Sequence, residues 1–195
     1  MRFSSSTWAI FCLACAALAA TGCGGSQAKA VTPDEFTAEH AVLFDDGIDL
    51  IEDPEGLQGR WKSDYELELE HRAEAADVVV SGVVTTVRVE QDPEMRSTFH
   101  LLFRRDQVLK GETEEAEFAL ASREGARGYG SVAQHRDRML DQPFVAFIRY
   151  AAAEDGAVVA HFHLSRPSPT VISTLERRDA KDNPHRVKVI EHTQD

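Results

Sequence analysis

A chain of 195 residues with 33 acidic and 21 basic side chains carries a net charge of −12. It lacks the basic excess needed to neutralise phosphates, which argues against a nucleic-acid partner. Its 3 cysteines, Cys12, Cys15 and Cys23, all lie at the start of the chain, so the body after Cys23 contains no disulfide, cysteine metal site or cysteine nucleophile.

The chain opens with Met1-Arg2, runs through 13 apolar residues from Trp8 to Ala20, and reaches small residues at Ala19 to Gly22 before Cys23. That is the order of a secretory signal, spanning residues 1–22. A membrane-spanning helix needs about 20 apolar residues, more than this run supplies. Ala20-Thr21-Gly22-Cys23 resembles the lipobox of bacterial lipoproteins, with Ala20 where that pattern prefers Leu. The resemblance implies cleavage before Cys23, palmitate-type acylation of its sulfur and acylation of the new amine. Two or three acyl chains anchor a protein stably, whereas a single chain does not. Left unmodified, Cys23 would be an unpaired thiol in an oxidising compartment, where such a thiol is a liability. Gly24 differs from the aspartate of the inner-membrane retention signal, so the same resemblance points to the outer membrane.

Residues 23–62 read as an acylated linker followed by an acidic segment. Between Val31 and Asp77 there are 15 acidic and 3 basic residues, against 18 and 16 from Val78 to Asp195. Thr32-Pro33-Asp34-Glu35 has the cap, first-turn proline and early acids of a helix start. Asp45 to Gly56, DDGIDLIEDPEG, reads as a solvated acidic stretch, since its spacing does not reproduce the alternating ligands of a calcium loop.

From Ser63 to Ala76 the positions Tyr65, Leu69, Ala73 and Ala76 recur at helical spacing. Ala76 to Glu90, ADVVVSGVVTTVRVE, is too rich in β-branched residues for a helix and predicts a long strand, with Gly82 marking a bulge or bend. Beyond the turn at Asp92-Pro93-Glu94, Phe99, Leu101 and Phe103 alternate with His100, Leu102 and Arg104 in a segment that ends at Lys110-Gly111, and Phe118 and Leu120 mark a third strand from Glu115 to Ser122. Gly125, Gly128 and Gly130 match no phosphate-loop pattern and read as a flexible connector. Ser131 to Gln134 is a capping-box pattern, opening a helix to Asp141. Pro143 to Tyr150 is an apolar strand buried on both faces, Glu154-Asp155-Gly156 a hairpin turn, and Gly156 to Ser165 a strand that alternates Phe162 and Leu164 with His161 and His163. Ser168 before Pro169 opens a C-terminal helix to Arg178, and His185 to His192 is a strand or a tail.

Three strands, a helix and two further strands give a mainly β fold: a five-stranded OB-fold-like Greek-key barrel over 63–165, with a helix between strands 3 and 4 and helical segments flanking both ends. Residues 166–195 form the C-terminal helix and tail. The helix leading into ADVVVSGVVTTV, the segment FRRDQVLKG in the pattern F-x-x-x-x-V-L-K-G, and the strand FVAFIRY together resemble the netrin-like, tissue-inhibitor-of-metalloproteinases-like OB modules of bacterial exported proteins. The resemblance spans Tyr65 to Leu164 and implies fold and location more than activity. The animal inhibitors hold a proteinase zinc with a free N-terminal cysteine beside the barrel. Cys23 is acylated in this reading and stands far upstream, so no inhibitory residue carries over.

Three functions follow as expectations. The first is a non-enzymatic, lipid-anchored binding or structural module of the bacterial envelope, with no cofactor, held to the membrane through Cys23 and available to an envelope protein partner. The second is a metal site on His161 and His163, which share a strand face, joined by His100 or His135, since imidazoles suit zinc or copper. The third is a hydrolase, for which Ser81, Ser97 and Ser122 sit in no nucleophile-elbow pattern.

Overall fold

The computed structural model describes residues 33, 35–51, 53–153 and 155–182. The signal segment, Cys23, the linker and the run His185 to His192 lie outside the described residues. Four helices, α1 (His40–Leu43), α2 (Arg60–Ala75), α3 (Tyr129–Met139) and α4 (Pro169–Asp182), accompany six strands. The strands are β1 (Gly47–Ile48), β2 (Val78–Gln91), β3 (Ser97–Lys110), β4 (Glu117–Arg123), β5 (Pro143–Ala152) and β6 (Val158–Ser165). They form one mixed, curled, half-barrel sheet in the order β1-β6-β5-β2-β3-β4, in which only β1–β6 is parallel.

Period-two alternation explains why both faces are dry at the centre of this sheet. Phe144, Ala146 and Ile148 of β5 join Phe162 and Leu164 of β6 and Phe99, Leu101 and Phe103 of β3 on the inner face, capped by Val132 and Met139 of α3. Val145 and Phe147 point the other way, against Leu69 and Ala73 of α2 and Val171 and Leu175 of α4. Because β5 is sandwiched in this way, it reads as a continuous apolar run.

Bulges set which β2 residues face inward. Val84 opposes Phe103 and Thr86 opposes Leu102, so Thr85 is an extra residue that passes the inward role from even to odd positions and packs Val87 against the inner core. At Gly82 the register also shifts, and a Cβ there would lie 2.1 Å from the Arg104 carbonyl oxygen. The bend foreseen at Gly82 is therefore also a point where two backbones touch.

The segment FRRDQVLKG is built into this framework. Phe103 is fully buried, Val108 packs on the inner core, and Lys110 Nζ donates to the carbonyls of Ala73, Glu74 and Ala76 at 2.8, 2.9 and 2.7 Å. Those carbonyls end α2, where the helix dipole favours a cation. Gly111 follows at φ +76 with its α-carbon against the Asp77 backbone. Asp77 in turn accepts from Arg149 Nη1 and the Tyr150 amide, both at 2.8 Å.

Several expectations are corrected. The sheet has six strands, because the acidic segment contributes β1 through amide bonds from Asp46 to Phe162 O (3.0 Å) and from Asp49 to Leu164 O (2.7 Å). Of the expected helix start, Thr32 and Asp34 lie outside the described residues; Glu35 makes a parallel bridge to Ala152, and the single turn α1 begins at His40, whose amide donates to Thr37 Oγ1 at 3.2 Å. Helix α2 begins at Arg60, after Gly59 at φ +58, rather than at Ser63. Helix α3 begins at Tyr129, and Ser131 serves a different end from a capping box: its hydroxyl accepts the Ile48 amide at 3.1 Å and donates to Gly128 O at 2.8 Å. Gly128 is buried rather than part of a loose connector; its amide donates to Asp45 O at 2.7 Å, and a Cβ would fall 2.3 Å from Gly47 Cα. Ser168 does cap α4, accepting the Val171 amide at 3.2 Å.

Candidate functional site

The sequence places its chemistry on β6, and alternation turns His161 and His163 to the outer face, opposite Phe162 and Leu164. There the acidic segment crosses the β5–β6 hairpin as a strap. It bridges β5 at Glu35, stacks Phe36 on the His161 ring (3.6 Å between centroids, 13° between planes), buries Phe44 in the outer core and ends as β1 on the far edge of β6. Each imidazole meets its own carboxylate from this strap. His161 Nδ1 lies 3.0 Å from Asp46 Oδ2, and His163 Nδ1 lies 2.9 Å from Asp45 Oδ1.

Beneath the second pair lies a buried cation. Arg72 of α2 is 3 % exposed, donates through Nε to Leu43 O at 2.8 Å, pairs through Nη2 with Glu68, and has its guanidinium carbon 5.9 Å from the centre of the Phe147 ring. Burial pulls the Arg72 guanidinium down from its ordinary range, while the charges of Glu68, Asp45 and Asp49 push the other way. Burial, reinforced by the charge of Arg72, also holds the His163 imidazole below its ordinary range, against the raising effect of Asp45. Burial favours the neutral acid at Asp45, but the His163 hydrogen bond and the nearby positive charge outweigh it and hold that carboxyl low. Asp49 is raised chiefly by burial, and Tyr65 is pushed well above the ordinary phenol range by burial and the Asp49 charge. These directions favour a neutral His163 imidazole beside an ionised Asp45 carboxylate, whose charge the buried Arg72 guanidinium offsets.

An imidazole oriented by a carboxylate at Nδ1 is half of a general-base arrangement. The other half requires Nε2 to face a reactant. His163 Nε2 is buried and has no hydrogen-bond partner among the described residues, so the pair is configured to fasten the strap. The remaining candidates are dispersed. His100 stands on β3 opposite Arg88, ten residues along β2 from the Val78–Ile148 pairing that leads to Phe162, and its Nε2 meets Glu90 at 3.2 Å. His135 is on α3, which packs on the inner face. Among the described residues no three His, Cys, Asp or Glu side chains converge on a common metal position. Ser81 lies in β2, Ser97 takes the Glu124 carboxylate on its amide at 2.8 Å, and the buried Ser122 hydroxyl has no partner among the described residues.

What sequence reasoning missed is the set Asp45, Asp46, Asp49 and Arg72. An acidic run looks solvated, and the histidine partners of Asp45 and Asp46 lie more than a hundred residues away on β6. A faint signal was available: Phe36, Phe44 and Ile48 are too apolar for a free tether. Elsewhere, Glu70, Thr174, Arg177, Arg178 and Lys181 line an open groove of about 200 Å³ between α2 and α4, where Arg177 lies 3.7 Å from Glu70 and Arg178 pairs with Glu74.

No protein-family model matches this chain, and no curated protein matches it.

Proposed function

We propose that this protein is a non-enzymatic, lipid-anchored binding or structural module of the bacterial envelope, carried to the outer membrane by acyl chains on Cys23. One observation carries the reading: Ala20-Thr21-Gly22-Cys23 follows a 13-residue apolar core and precedes a short Gly- and Ser-containing linker. The body supports it in kind, because His161, His163 and the FRRDQVLKG segment are engaged in holding the fold together. The finer fold is an OB-like barrel of the netrin-like type. The neighbour order β6-β5-β2-β3-β4, with α3 between β4 and β5, supports that reading.

The test is mass spectrometry of the mature N-terminus after expression of the full chain in a bacterial host with a lipoprotein pathway. A peptide beginning at Cys23 and carrying two or three acyl chains is expected, together with loss of membrane association in Cys23→Ser. A mature terminus elsewhere, or a Cys23→Ser protein that stays in the membrane fraction, overturns the anchor. Reproducible turnover of a substrate by the purified domain overturns the non-enzymatic role.

A further inference from the structure

The strap from Glu35 to Asp49 is held on the domain in an unusual way for a terminal segment. Its apolar contacts are Phe36 on the His161 ring, Phe36 and Leu43 against the outer core, Phe44 within that core and Ile48 in the inner one. Its backbone contributes a two-residue strand, and two imidazole–carboxylate bonds link it to β6. We propose that this strap is an acid-loosened clasp: closed over the β5–β6 hairpin at neutral pH, and opening about tenfold more often under mildly acidic conditions while the rest of the sheet stays folded.

The argument starts from geometry. His163 is clamped between the strap and α2, and the groups facing it are Asp45 and Asp49 from the strap and Arg72 from α2, with Glu68 and Tyr65 behind Arg72. Its partner across β5 is the apolar Phe147. His161 faces Asp46 and Phe36 and lies opposite Arg149, which is itself bonded to Asp77, while His40 stands at the far side of Phe36. A proton arriving on His163 therefore enters a dry site next to a guanidinium, and Nε2–H would have no acceptor among the described residues. Lifting the strap exposes the imidazole to water, where it takes up that proton at its ordinary range.

The sign is fixed by the direction of the shift. His163 is held low when the strap is closed, so the open form binds more protons. Closure is complete above about pH 6.5, the ordinary imidazole value, and weakens as pH falls below it. Asp45 acts in the same sense but only below the ordinary carboxylate range. Asp49, held high by burial, opposes release, again only within the carboxylate range. Between pH 7.5 and 5.5 one additional proton on the open form lowers the closed-to-open ratio about tenfold.

The experiment is residue-resolved hydrogen exchange on the full chain, corrected for the intrinsic pH dependence of exchange. The reporters are the Asp46, Asp49 and Phe162 amides, which cross the clasp, and the β2–β3 ladder is the internal reference for folding. Protection of the clasp amides should fall about tenfold from pH 7.5 to 5.5 relative to β2–β3. In His163→Asn, which keeps a donor for Asp45 but does not titrate, that pH dependence should disappear. Direct NMR titration of the His163 imidazole supplies a second measurement if the variant does not fold. Equal protection at the two pH values, an unchanged pH dependence in His163→Asn, or a His163 that titrates at its ordinary value with the strap closed each overturns the proposal.

Discussion

At the scale of single residues, this chain uses glycine and lysine for contacts that other side chains cannot make. Gly82 brings two strands together, and alanine there would set its Cβ 2.1 Å from the Arg104 carbonyl and 2.9 Å from the Phe103 ring. Gly82→Ala should cost about 2–3 kcal/mol, read as a lower urea midpoint at unchanged slope. Gly130 is the contrasting case: a helical glycine with nothing within 4 Å of its would-be Cβ, where alanine should stabilise by about 0.5–1 kcal/mol in the same assay. Lys110 is a third. Replacing it by Met keeps the aliphatic stem and removes the donor to three carbonyls, so about 1–2 kcal/mol should be lost, with faster amide exchange confined to the last turn of α2. In the sequence, Lys110-Gly111 showed as the end of a strand and of the F-x-x-x-x-V-L-K-G pattern, with no contact to explain either. Its role depends on α2, more than thirty residues upstream, ending where Lys110 Nζ can reach it.

At the scale of elements, strands were easier to read than the strap, for a physical reason. In β3, β5 and β6 each apolar residue is repeated by its neighbour two positions on, so the pattern reports burial locally. The strap has no period. Phe36, Phe44 and Ile48 are separated by acids, and those acids are useful only beside His161, His163 and Arg72, which other parts of the chain supply. The His161–His163 pair was visible as two residues on one strand face, but its carboxylate partners were not. The packing gives a direct test of whether the strap belongs to the body. Phe44 is 1 % exposed in the outer core, so Phe44→Ala should cost about 3–5 kcal/mol by chemical denaturation, whereas a residue of a solvated tether would cost close to nothing.

For the whole molecule, the decisive feature is that two hydrophobic clusters share the central strands β2 and β5. Phe144 and Ile148 of β5 belong to the inner core, and Val145 and Phe147 to the outer one. Loss of either cluster strips β5 of half its cover, so the two cannot melt separately. Phe144→Ala and Phe147→Ala should therefore each lower one common thermal transition, with near-ultraviolet and far-ultraviolet circular dichroism coinciding in both. Two resolved transitions in either variant would show that the clusters are independent.

The route of the strap also determines how the domain answers a pull. Tension applied at residue 33 would meet the Glu35–Ala152 bridge first, then the ring stack of Phe36 on His161, then the Leu43 carbonyl held by Arg72 and Phe44 in the outer core, and only then the two carboxylate bonds. Contacts loaded one after another peel like a zip instead of shearing together, so the strap should yield at lower force than the β2–β3 ladder. The sheet behind it would be loaded last, so the segment that closes the outer face would give way before the half-barrel does.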